Sequence, residues 1–141
     1  MRDIIVVGVD GSGTAQKAAA AARDLAAALN AGLHVVTAFD SDRAAVYGDG
    51  QHPVIVPEAE VAENIARSEA ESLGYTNITY SAARGRPADA LLKEAARMDA
   101  RIIVVGNRRM HGIGRVLGSV ANSVAHNAPC DVYIANTYDT D

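Results

Sequence analysis

Short apolar runs rich in β-branched residues recur along the chain at Ile4–Val9, Leu33–Phe39, Arg101–Val105 and Val132–Ala135. Within them, Ile4-Ile5-Val6-Val7 is apolar at every position, the pattern of a strand covered on both faces. A fifth segment, Asn77–Ser81, alternates polar and apolar residues and predicts a more exposed strand. Between the runs, apolar positions fall at helical spacing. Thr14–Asn30 is rich in alanine, carries Leu25 and Leu29 four apart, and meets a stop at Gly32. Pro57–Leu73 carries Val61, Ile65 and Leu73 and ends at Gly74, while Pro87–Met98 shows a stripe of Leu91-Leu92 and Ala95-Ala96. Both open on proline, which the first helical turn tolerates because its N–H groups lack intrahelical partners. Ser119–Asn127 is the last helix, stopped by Pro129.

Strict alternation of strand and helix predicts right-handed crossovers and a parallel sheet packed between helices. The expected fold is α/β, a five-stranded parallel sheet with helices on both faces, forming a single domain over residues 1–141. Asp40–Val56 interrupts the pattern with Gly48-Asp49-Gly50 and His52-Pro53, and it is expected to be a surface loop.

Hydrophobic residues make up 49% and charged residues 21%, a globular balance that excludes disorder. Lys+Arg number 13 against 17 Asp+Glu, a net charge of −4. That excludes the basic footprint of a general nucleic-acid binder, so no nucleic-acid partner is expected. Cys130 stands alone and can make neither an intrachain disulfide nor a cysteine zinc site. No stretch reaches transmembrane length, and Met1-Arg2-Asp3-Ile4 lacks the shape of a signal peptide. A cytoplasmic protein with no membrane partner is therefore expected. Lysine occurs only at Lys17 and Lys93, so arginine carries most of the positive charge, and its planar fork suits phosphate and carboxylate.

In an open α/β sheet, ligands sit beyond the carboxyl ends of the strands, so the residues just past each apolar run are the candidates for chemistry. After the first run comes Asp10-Gly11-Ser12-Gly13-Thr14, and after the second Ala38-Phe39-Asp40. After the fourth strand comes Gly106 to Ser119, with four glycines before a helix, Arg108, Arg109 and Arg115, and no acid. Asp and Glu are absent from the whole interval between Asp99 and Asp131. Glycines admit close backbone approach, helix-terminal N–H groups point at anions, and Ser119 adds a hydroxyl. A flexible surface loop capped by serine is the plainer alternative; anion binding is favoured. The lysine-bearing phosphate loop G-x-x-x-x-G-K-[ST] is missing, and Gln16 stands where the dinucleotide fingerprint needs its third glycine. A phosphate-accepting receiver is excluded as well, since Asp10 lacks neighbouring acids and Asn136 follows the last strand.

The chain resembles the universal stress protein family along essentially its whole length. The nucleotide-binding branch is marked by G-x-x-G, nine residues, then G-[ST] after the fourth strand, and here Gly106 opens the pattern and Gly118-Ser119-Val120 closes it. Val9-Asp10-Gly11-Ser12, Gly85-Arg86-Pro87 and Ala128-Pro129-Cys130-Asp131-Val132 match too. The resemblance implies a Rossmann-like fold of the adenine nucleotide alpha hydrolase type, binding ATP or another adenine nucleotide, with Mg2+ accompanying ATP. Asp10 would line the site, Ala38 would offer backbone contacts to adenine, and Gly106, Gly118, Ser119 and Val120 would surround ribose and phosphates. Arg108 and Arg109 are added to that site on electrostatic grounds, with Arg115 beside them. For Asp10 the alternative is a turn or N-cap residue ahead of the first helix.

The pattern departs from the family at Arg109, which takes the place of the second glycine, and only eight residues then precede Gly118. Arg109 either occludes the pocket or swings out to pair with phosphate. Occlusion would leave a nucleotide-free dimeric interaction protein. His34 in a strand and His126 in a helix are not expected to be metal ligands, His52 lies in the irregular segment, and His111 is expected as an exposed loop residue. Cys130 reads as a small buried residue. Asp10 is the only acid beside the loop, so binding or signalling is expected, with any ATP hydrolysis slow. In the family the last strand lies at the sheet edge and pairs with its copy, which makes a homodimer through Asp131–Ala135 the expected assembly.

Overall fold

In the computed structural model, which describes residues 3–40, 44–47, 54–107 and 117–138, the strands of one sheet alternate with helices as the apolar pattern predicts, and two further short strands precede the second helix. The elements are β1 (Ile4–Gly8), α1 (Gly13–Leu29), β2 (Gly32–Phe39), β3 (Ala44–Tyr47), β4 (Val54–Pro57) and α2 (Glu58–Leu73). They continue with β5 (Ile78–Arg84), α3 (Pro87–Arg97), β6 (Ile102–Gly106), α4 (Ser119–Asn127) and β7 (Asp131–Ala135). Five strands form a parallel sheet in the order β5-β2-β1-β6-β7. β1 is central, with Ile5 opposite Leu33 on one side and Ile102 on the other.

Successive side chains of a strand point to opposite faces, and both faces of β1 are covered. Ile5 and Val7 pack with Ala18, Ala22 and Ala66 under α1 and α2. Val6 packs with Leu91, Ala95 and Val124 under α3 and α4. Helix α1 turns Ala18, Ala19, Ala22 and Ala26 inward, and more than half of the buried apolar residues described are alanine. With only a methyl group between them, helix backbone and strand lie close together.

The helix ends follow local chemistry. Ser12 Oγ accepts the Ala15 N–H at 3.1 Å and caps α1. At its other end the helix stops at Asn30, in the left-handed region at φ 53°, rather than at Gly32. Gly32 opens β2 instead, where a Cβ would come within 2.8 Å of Ile4 Cδ1. Its neighbours are the flexible ends of Ile4 and Asn77, so the position is tight without making a turn.

The surface loop expected over Asp40–Val56 is corrected in part. Its ends form a two-stranded antiparallel ribbon, with Ala45 opposite Val56 and Val46 opposite Ile55. The strand-forming run Val54-Ile55-Val56 is obscured in the sequence by Pro53 and Pro57 on either side. Gly48-Asp49-Gly50 and His52-Pro53 fall outside the described residues. The fifth strand of the sheet predicted from alternation, β5, is an outer strand, as that alternation implies, and reaches Arg84.

One polar cluster lies inside the sheet–helix layer. His34, 2% exposed, places Nδ1 2.6 Å from Thr79 Oγ1 and Nε2 2.9 Å from Ser81 Oγ and 3.0 Å from Glu94 Oε2. Ser81 Oγ donates to Glu94 Oε2 at 2.6 Å, and Arg97 donates to both carboxylate oxygens at 2.6 and 2.8 Å. Outer strand β5, β2 and α3 are thereby fastened together. The Arg97 hydrogen bond, helped by Ser81 and His34, holds the Glu94 carboxyl down at about 2. Burial pushes His34 below its usual value, against the pull of Glu94.

Both shifts make acid destabilising. Stability from ionised Glu94 is complete above the ordinary carboxylate range and is lost as pH falls toward about 2. His34 stays neutral in the fold while the unfolded chain protonates near 6.5, so stability begins to fall below that value. The urea midpoint is expected to drop between about pH 7.5 and pH 5.5, and His34→Gln to flatten that interval. Glu94→Ala should cost about 2 kcal/mol at neutral pH by leaving Ser81 and the buried His34 without their acceptor. An unchanged midpoint in that variant would leave the cluster without a stabilising role.

Candidate functional site

The strand order reverses between β1 and β6: the chain leaves β1 to one face through α1 and reaches α4 on the other after β6. Connections departing in opposite directions leave a crevice at the carboxyl edge. A cavity of 390 Å³ lies there. Gly8, Val9 and Asp10 after β1, Val36 and Ala38 of β2, and Val105 and Gly106 of β6 contribute strand ends. First turns of three helices close it: Ser12, Thr14 and Ala15 at α1, Pro87, Ala90 and Leu91 at α3, and Gly118, Ser119, Val120 and Ala121 at α4.

Six of the residues singled out in the sequence, Asp10, Ala38, Gly106, Gly118, Ser119 and Val120, thus line one cavity. Arg108, Arg109, His111 and Arg115 lie outside the described residues. Asp10 stands both at the cavity and in the turn ahead of α1. It lines the cavity, and its Oδ1 accepts the Ser12 N–H at 2.9 Å, pinning the turn into α1. Gly11, at φ 86°, lets the backbone make that turn.

The helix ends at the cavity differ in chemistry. Ser12 caps α1, but α4 has Gly118 as its N-cap, with no side chain to accept from the first N–H groups. Arg86 likewise makes no side-chain cap at α3, where Pro87 carries no N–H at all. The α4 terminus therefore offers backbone donors and the positive end of a helix dipole, with the Ser119 hydroxyl beside them. The opposite wall is apolar, built from Val36, Ala38, Ala90 and Leu91. Asp10 is the only ionisable group in the described lining. Such a cavity suits a flat, largely apolar body at one end and an anion at the other.

Several contributors had no marker in the sequence. Val36 and Leu91 are apolar residues within β2 and α3, indistinguishable in the sequence from core. Asn107 is another. Only 5% exposed, it follows β6 and accepts on Oδ1 from Thr137 N–H at 2.8 Å and Thr137 Oγ1 at 2.9 Å. Its Nδ2 donates to Asn136 Oδ1 at 3.0 Å. Those bonds tie the segment after β7 to the start of the glycine-rich stretch, and a Cβ on Gly106 would stand 3.0 Å from Thr137 Cγ2.

The sequence model of the universal stress protein family matches residues 1–136. The chain belongs to the universal stress protein family. A universal stress protein of Mycobacterium tuberculosis H37Rv is 33% identical over 141 aligned positions, covering 94% of this chain and 95% of its own. Universal stress protein A homolog 1 of Coxiella burnetii is 30% identical, over 91% and 92% of the two chains. Among solved structures, a universal stress protein in complex with cAMP superimposes with a TM-score of 0.72 at 30% identity, covering 97% of this chain and 99% of that one. One from Archaeoglobus fulgidus, in complex with dAMP, shares the fold at a TM-score of 0.62 and 23% identity, over 94% and 97% of the chains. In this universal stress protein, no described helix is long and apolar enough to cross a membrane.

Asn107→Ala is expected to leave the buried Thr137 N–H without its acceptor and to cost about 2 kcal/mol in urea denaturation. Amide exchange at Thr137 should accelerate more than at core positions of β6. Equal protection in both proteins would mean that the tie contributes nothing.

Proposed function

We propose that this universal stress protein binds an adenine nucleotide, of the ATP, AMP or cAMP class, at the carboxyl edge of its sheet. The observation that carries the proposal is the α4 terminus without a side-chain cap, opening at Gly118-Ser119-Val120 into a cavity with an apolar opposite wall. Phosphate takes the free N–H groups and the Ser119 hydroxyl, while the adenine ring lies against Val36, Ala38 and Leu91. The cAMP complex of the relative that is 30% identical supports the same ligand class. Asp10 supplies a single carboxylate, a donor set that suits Mg2+ when the ion arrives with nucleotide phosphates. One carboxylate without a positioned base beside it suits binding and signalling better than rapid turnover.

ATP, AMP and cAMP are each expected to raise the melting temperature if they bind the native state, by an amount that grows with the logarithm of ligand concentration. Gly118→Glu should abolish that rise while circular dichroism stays native, because the added carboxylate crowds and repels phosphate at the donors. A folded protein that shows no rise at millimolar nucleotide would remove the proposal.

A second reading, dimeric interaction with another protein and no nucleotide, draws support from β7. It is an outer strand of the sheet, and Tyr133 and Ile134 on it are 46% and 41% exposed. An apolar outer edge of this kind is suited to a second copy of the chain. A homodimer through Asp131–Ala135 is compatible with either reading. Ile134→Lys should halve the mass seen in sedimentation equilibrium without moving the nucleotide response; an unchanged mass would place any dimer contact elsewhere.

A further inference from the structure

Gly106 ends β6 opposite Ala135 of β7 and lines the cavity at the carboxyl edge. Neither Asn107, next along the chain, nor Thr137, two residues past β7, belongs to the described lining. Thr137 also lies one position beyond the stretch that the family model matches.

The Asn107 N–H donates to the Ala135 carbonyl at 3.0 Å, which continues the β6–β7 pairing past Gly106. Its side-chain Oδ1 accepts from both the main-chain N–H and the hydroxyl of Thr137, while its Nδ2 donates to Asn136 Oδ1. Asn136 Oδ1 also accepts the Tyr138 N–H at 3.2 Å, and Lys17 Nζ of α1 donates to the Thr137 carbonyl at 3.5 Å. Thr137 is thus held by its N–H, its carbonyl and its hydroxyl in a buried position.

That restraint decides where a methyl group stands. A β-branched side chain has few χ1 choices, and the hydroxyl bond to Asn107 selects the one that turns Cγ2 toward Gly106. A Cβ built on Gly106 would lie 3.0 Å from that methyl, 3.7 Å from the Thr137 hydroxyl and 3.8 Å from Ala18 Cβ. The room for a side chain at 106 is already taken by the segment after β7.

We propose that Asn107 and Thr137 are positioning residues for the cavity: their clasp, with the Thr137 methyl against Gly106, sets the path of the main chain as it leaves β6, and with it the affinity for nucleotide. This role rests on nucleotide binding at the β1–β6 cavity. The missing side chain at 106 makes room for Thr137, while the main chain of Gly106 remains at the cavity wall.

The test is calorimetric titration of the whole chain with ATP and with cAMP, beside urea denaturation of each variant. Gly106→Ala should weaken nucleotide binding about tenfold, the equivalent of one net hydrogen bond. Thr137→Ser deletes the methyl and keeps the hydroxyl, so the double variant Gly106→Ala/Thr137→Ser should regain most of the parent's affinity and urea midpoint. Asn107→Ala opens the clasp and should also lose about tenfold in affinity. Leu33→Val, a core change at the amino edge of the sheet, should lower the urea midpoint with affinity unchanged, which separates positioning from stability. Should Gly106→Ala alone fail to fold, a folded, nucleotide-binding double variant carries the same result. Undiminished binding in Gly106→Ala or in Asn107→Ala, or a double variant no better than Gly106→Ala, would overturn the positioning role alone. A parent that binds neither nucleotide would overturn the binding reading and this role together.

Discussion

Strands β1 and β6 lie side by side in parallel register, Ile5 beside Ile102 and Val7 beside Val104, yet the helices that succeed them go to opposite faces. That opposition is the constraint on which the carboxyl edge depends. Neither α1 nor α4 can cover the gap between the two strand ends, so the gap persists and several helix termini converge on it. The ends of the strands bring Asp10 and Gly106 to its rim, and the start of α4 brings Gly118 and Ser119. The site is a by-product of topology before it is a product of any particular side chain.

Legibility in the sequence depends on the range of the interactions. The five sheet strands and four helices were readable because apolar periodicity, proline at first turns and glycine at the end of α2 act within a few residues. Two local features were not. The run Val54-Ile55-Val56 lay hidden between prolines, and Asn30 took the left-handed position that glycine ordinarily supplies. For the cavity, glycine and serine at Gly106 and Gly118-Ser119 were legible because backbone access and hydroxyl chemistry restrict the residue types. The apolar wall was not, since Val36 and Leu91 could equally well belong to the core. Contacts distant in sequence left no trace either: Asn107 meets Thr137 30 positions away, and His34 meets Glu94 60 positions away.

Two buried glutamates show how differently one residue type can be accommodated. Glu94 sits where α3 crosses two strands, and each element contributes a donor to it. Glu69 sits at an open groove between two helices, beside Gln16, Asn64 and Ser68. Its carboxyl oxygens are not enclosed, so water does there what protein donors do for Glu94.

Alanine in the core also has a thermal consequence. Each buried methyl removes little apolar surface from water, and the change in heat capacity on unfolding scales with the apolar surface exposed. It also surrenders no rotamer entropy when buried. A core in which alanine outnumbers the larger apolar residues is therefore expected to give a smaller heat-capacity change, and a flatter free-energy curve, than one with the same number of leucines and valines.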